Sequence, residues 1–167
     1  MSISADQFKQ GMRRLGGAVN IVTANHEGVW AGLTATAVTS LSAEPPRLLA
    51  CVNRQGATYD TISHGRTLAV NVLGVEHKDL AMRFAGMTNV PETDRFDQSL
   101  WRPDLTGAPV LLGALVSFDC EVENIMDVGS HGIVIGNIKS VRISSEKTSE
   151  PLCYVDGEWA VLDILAS

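Results

Sequence analysis

The chain has 167 residues, a length typical of one domain, and 19 acidic residues against 13 Lys and Arg give it a net charge of −6. That balance excludes a protein that holds nucleic-acid phosphates or anionic lipid by general attraction, while 45% hydrophobic and 19% charged residues supply a core and argue against a disordered chain. Three widely spaced cysteines without a CxxC, no basic-then-apolar leader and no run of roughly 18 apolar residues are the pattern expected of a cytoplasmic protein with reduced thiols and no membrane span.

Ser4 and Gln7 form a capping-box pattern, and Phe8, Met12 and Leu15 recur at helical spacing until Gly16 and Gly17 stop the run. β-Branched residues then predict a strand over 18–24, a turn at His26-Glu27-Gly28 and a second strand from Val29 to about Ala37. Pro45-Pro46 marks a break before an apolar strand over 47–53. Helical patterns over 58–64 and 76–85 flank a strand over 67–73, and 86–109 reads as a long loop, a lid or an interface segment. Over 115–123 the apolar Val116, Phe118, Cys120 and Val122 alternate with Ser117, Asp119, Glu121 and Glu123, which predicts one buried and one wet face. The strand over 133–143 changes phase near Gly136 and Ile138, as a bulge would make it, and Asp156-Gly157 predicts a tight hairpin between 152–155 and 158–162. Six or seven strands without βαβα alternation point to a single mainly β domain over 1–167, an antiparallel barrel with two or three peripheral helices.

Neither a GxxxxGK[ST] nor a GxGxxG after a strand is present, so a phosphate ligand needs another cradle. The segment from Gly32 to Ser42 offers one, with hydroxyls at Thr34, Thr36, Thr39, Ser40 and Ser42 among small side chains; the same residues also suit a plain strand that caps its own turn. Asn53-Arg54-Gln55-Gly56-Ala57-Thr58 leaves a strand and starts a helix, where free N–H groups favour anions, although an ordinary capped helix with a solvated Arg reads the same way. His131 stands in a turn between two long strands, as a functional or a plain surface histidine. The remaining histidines have no metal-ligand spacing, so no metal is expected, and Cys51 reads as a small core residue.

The run from Phe8 to Thr23 followed by Gly32-Leu33-Thr34-Ala35-Thr36-Ala37-Val38-Thr39-Ser40-Leu41-Ser42-Ala43-Glu44-Pro45-Pro46 resembles the opening of the flavin reductase-like family. The likeness continues through Cys51-Val52-Asn53, Phe84-Ala85-Gly86-Met87-Thr88, Arg95-Phe96, the strand from Leu115 to Cys120, and Gly129-Ser130-His131, where the family's Gly-Asp-His turn has Ser. It looks most like the small reductase component of two-component, flavin-diffusible monooxygenases. The resemblance implies an FMN-binding split barrel, usually a homodimer, that oxidises NADH or NADPH and releases reduced FMN or FAD to a separate oxygenase. By the same analogy Thr34, Ala35 and Thr36 with Cys51, Val52 and Asn53 flank the isoalloxazine, and Thr39, Ser40 and Thr58 serve the ribityl phosphate. Phe84, Ala85 and Gly86 close over the flavin, and His131 faces the nicotinamide. The alternative is a flavin- or haem-binding split-barrel module without reductase turnover.

Overall fold

The computed structural model describes residues 2–145 and 149–163. In chain order, α1 (Ala5–Arg13) leads to β1 (Gly17–Ala18), β2 (Asn20–His26), β3 (Val29–Ala35), β4 (Val38–Ala43) and β5 (Pro46–Asn53), followed by α2 (Ala57–Gly65), β6 (Thr67–Val72) and α3 (Lys78–Phe84). Then come β7 (Trp101–Pro103), β8 (Pro109–Leu111), β9 (Val116–Val128), β10 (His131–Ile143), β11 (Leu152–Val155) and β12 (Glu158–Val161). The fold is mainly β, as expected.

Seven strands form one antiparallel sheet in the order β3-β2-β6-β9-β10-β5-β4. β3 and β4 are its two edges, yet only Thr36 and Ala37 lie between them in the chain. Three peptide steps span at most about 11 Å, so the sheet must curl until its edges come close at this corner. Among the described residues no ladder joins them, and the result is an open barrel with a split. α2 packs against β2, β3 and β5, with Ile62 fully buried among Val22, Val52, Leu68 and Val134. A second apolar cluster lies outside the barrel, where Val19, just before β2, and Ile21 of β2 meet Ala81 and Phe84 of α3, Trp101 and Leu152.

The capping box at Ser4 forms, and the Asp156-Gly157 turn has the two positive φ values, 58° and 85°, of a tight hairpin. Register shifts at Ile135/Gly136 and Ile138/Ser140 are the expected irregularity in β10.

Three expectations need correction. The strand expected from Val29 to about Ala37 ends at Ala35, and Val38–Ala43 is a separate edge strand paired with β5. The 86–109 segment is not bare loop, because it contains β7, which pairs with β8 at its end, and Trp101, 1% exposed, is part of the core. The alternate face of β9 is not wet at Ser117 and Asp119, which are 2% and 0% exposed. The 103–111 segment covers it: Asp119 accepts from the backbone N–H of Thr106 at 2.7 Å, and Ser117 donates to Asn71 Oδ1 at 2.8 Å. That Asn71 oxygen also accepts from Leu111 N–H at 2.9 Å, so β8 is held down by a buried polar network.

Candidate functional site

Because the chain crosses from one sheet edge to the other at Thr36-Ala37, the hydroxyl-rich segment lies along the split. Thr36, Thr39 and Ser40 line a cavity of about 410 Å³ together with Gly17, Asn20 and Arg47, over a floor that includes Leu48, Phe118 and Ile138. Arg47 does not offer a free charge there. Its Nη2 donates to Glu123 Oε1 at 2.9 Å, and this hydrogen bond holds the Glu123 carboxyl below its ordinary range against a weaker push from burial.

Strand pairing carries the site outward from this corner. Cys51 N–H donates to Ala37 O at 2.9 Å, which ties Cys51-Val52-Asn53 to the Thr34–Ser40 stretch. Alternation on β5 then separates the three: Val52 is fully buried in the core, whereas Cys51 and Asn53 point to the outer face. Across the sheet, Thr39, Leu49, Ile135 and Asn124 form one outward row. Cys51, Ile133 and Met126 form the next, and Asn53, His131 and Val128 a third. His131 therefore stands directly opposite Asn53 at the end of β10, exposed, with Ser130 Oγ 2.8 Å from its Nδ1. Asn53 Oδ1 accepts from Gln55 N–H at 2.9 Å and shapes the start of α2.

On the β3 side, Thr34 Oγ1 donates to Ala81 O at 2.7 Å and fixes α3 against the strand, so this hydroxyl is already engaged. Ala35, half-buried, packs against the barrel core. The end of α3 comes over β3 at Gly32, where an added Cβ would lie 2.9 Å from Phe84 Cε1 and 3.2 Å from Phe96 Cζ. Phe84 does not lie open over a planar ligand. It is 1% exposed, with its ring 5.0 Å from Phe96 and 5.4 Å from Trp101, centroid to centroid. Ala85 and Gly86 are the exposed part of that helix end, with Gly86 at φ 71° as a helix-terminating glycine.

Thr58 is 1% exposed, so its side chain packs α2 onto the barrel and only its backbone faces the first turn. That turn suits an anion, since the N-cap is Gly56, which has no side chain to occupy the free N–H groups. Arg54, beside that turn, is not a plain solvated side chain, because Asp127 Oδ2 lies 3.1 Å from its Nη2. The residues thus fit a flavin: hydroxyls and an uncapped helix start for its polar tail, half-buried apolar side chains at Cys51 and Ile133, and small residues at the sheet corner.

Sequence reasoning missed the close approach of α3 at Gly32 and the pair Tyr59 and Asp127. A glycine inside a strand pattern signals a close approach and could have marked Gly32. The partnership of Tyr59 with Asp127 spans 68 positions and leaves no local trace.

Residues 12–163 match the flavin reductase like domain. A relative named FMN reductase (NADH) RutF 2, from Rhizobium rhizogenes, is 45% identical over 150 residues, covering 90% of this chain and 84% of its own. The crystal structure of BorF, the flavin reductase component of a bacterial two-component tryptophan halogenase, has a TM-score of 0.86 at 25% identity, with 97% of this chain and 100% of that one covered. Flavin reductase PheA2 is similar at a TM-score of 0.86 and 28% identity, covering 97% of this chain and 100% of its own. Fold, corner segment and matched length agree: the chain belongs to the flavin reductase-like domain family.

Proposed function

We propose that this chain, as one domain over 1–167, is an NADH-dependent flavin reductase that reduces FMN and releases it to a separate oxygenase component. The observation that carries the reading is the hydroxyl-bearing corner at the split, where Thr36, Thr39 and Ser40 line one cavity; the uncapped start of α2 and the end of α3 braced on β3 at Gly32 support it. The name of the Rhizobium relative supports FMN and NADH, and the BorF description supports delivery to a partner enzyme.

Bound flavin supplies the hydride acceptor, and transfer from the nicotinamide needs stacked rings at contact distance with little acid–base help. The protein's work is therefore positioning. Thr36, Thr39 and Ser40 with the backbone at Ala57-Thr58 hold the ribityl and phosphate groups, and Cys51 and Asn53 with the backbone at Thr34–Thr36 and Val52 border the ring. Ala85 and Gly86 close one side, and His131 receives the nicotinamide. The free thiols Cys51, Cys120 and Cys153 suit a reducing compartment such as the cytoplasm, and burial pushes the Cys120 thiol up to about 12, which keeps it inert. We also assign a homodimer, with the outward rows of β5, β10 and β9 as the contact face.

Steady-state oxidation of NADH and NADPH with FMN, FAD and riboflavin tests the reading. Oxidation of NADH that depends on added FMN and saturates with it is the expected result. Tight flavin or haem binding without turnover would replace the reductase with a binding module.

A further inference from the structure

The turn that carries His131 is gripped by the segment joining β5 to α2. Arg54 N–H donates to Ser130 O at 3.0 Å, and Arg54 Nη1 donates to Gly129 O at 3.1 Å. Its Nη2 lies 3.1 Å from Asp127 Oδ2, and the other Asp127 oxygen accepts from the Tyr59 hydroxyl on the first turn of α2. The guanidinium carbon sits 6.0 Å from the centre of the Tyr59 ring, closing a cycle of three side chains. The same ring packs on Gly132, where an added Cβ would lie 2.5 Å from Tyr59 Cε2.

We propose that Arg54 is a positioning residue: with Asp127 and Tyr59 it clamps the 129–132 turn to the start of α2 and so sets where His131 stands toward an incoming nicotinamide. The inference rests on the assignment of His131 to the nicotinamide side. An anion-ligand role is not available to Arg54 while Gly129 O and Asp127 hold its two terminal nitrogens. Nor is stability the reason for the cluster. Arg54 and Asp127 side chains are 41% and 45% exposed, and ion pairs in that setting contribute little to folding. Donation to Asp127 holds the Tyr59 hydroxyl above its ordinary pKa, so the proton that links α2 to β9 stays in place at neutral pH. The clamp joins the helix start that faces the flavin tail to the turn that faces the second substrate.

The test is a double-mutant cycle of Arg54→Met and His131→Ala in the full chain, with NADH varied at saturating FMN and FMN varied at saturating NADH. Arg54→Met is expected to raise the KM for NADH about tenfold, with the KM for FMN and the melting temperature unchanged. In the His131→Ala background the same change should add nothing further, because Arg54 acts through His131. Tyr59→Phe, which removes only the hydroxyl, should move the KM for NADH in the same direction by less, and it serves if Arg54→Met does not fold. Full additivity in the double variant overturns the clamp, since Arg54 would then act on a substrate directly, and so does a rise confined to the KM for FMN. Normal NADH kinetics in Arg54→Met beside impaired His131→Ala overturns the clamp alone. Normal NADH kinetics in His131→Ala overturns the underlying assignment of His131, and the clamp with it.

Discussion

At the residue scale the site depends on what is small. β3 presents Gly32 and Thr34 toward α3, and the helix comes close enough there for Thr34 Oγ1 to bond Ala81 O at 2.7 Å. Gly32→Ala places a methyl 2.9 Å from Phe84 Cε1 and 3.2 Å from Phe96 Cζ, inside an aromatic cluster that cannot give without moving α3. Overpacking of this kind costs about 1 to 3 kcal/mol. Urea unfolding of Gly32→Ala should therefore show a lower midpoint at unchanged slope, and steady-state kinetics should show a raised KM for FMN, because the Ala85-Gly86 end moves with the helix. An unchanged midpoint would mean that the two rings yield freely and that α3 is not braced on β3.

At the scale of elements, α3 is held at both ends, and its beginning is sensitive to pH. Gly74 N–H donates to His77 Nδ1 at 3.1 Å, a bond that needs this nitrogen unprotonated. Burial holds His77 below its ordinary pKa, with Glu76 opposing that shift through its charge. The unfolded chain thus binds this proton more readily than the folded one, so the contribution is present above the ordinary histidine value, near 6.5, and is lost as pH falls below it. Melting temperature should fall on acidification through that window, and His77→Asn, which keeps an acceptor and cannot titrate, should flatten the curve; an unaltered curve would place the titration elsewhere. Most elements were legible because their signals are local: the Ser4 and Gln7 cap, the Asp156-Gly157 turn and the phase change in β10 each form as read. β4 was not, since an exposed edge strand rich in Thr and Ser has the composition of a turn. Nor were the buried Ser117 and Asp119, whose partners Asn71 and Thr106 are supplied by the fold. The candidate site was legible as segments, whereas the direction of each side chain was not. Thr58 and Phe84 turn inward and Arg54 is held by Asp127, all through contacts that sequence spacing does not encode.

The whole molecule has an apolar patch on its outer sheet face, where an antiparallel sheet facing water would carry polar residues. β10 turns Val134 into the barrel and Ile133 and Ile135 out of it, beside Leu49 and Cys51 of β5, and Met126 and Val128 extend the patch at 45% and 60% exposure. α2 lies on the opposite, inner face, where Ile62 packs with Val52 and Val134, while Leu49, Cys51, Ile133 and Ile135 of these rows stay half-buried. A twofold pairing of identical patches covers such a face by contacts that each copy makes reciprocally. The purified protein should therefore run at twice the 17.9 kDa chain mass in sedimentation equilibrium. Met126→Glu puts a charge at an exposed position within the patch, where burying it unpaired on association is costly while the isolated fold tolerates it. The variant should sediment as a folded monomer with normal far-ultraviolet circular dichroism and lose flavin affinity in proportion to the monomer fraction. A monomer with full FMN-dependent NADH oxidation would show that the flavin site is complete within one chain and that the apolar rows serve another partner.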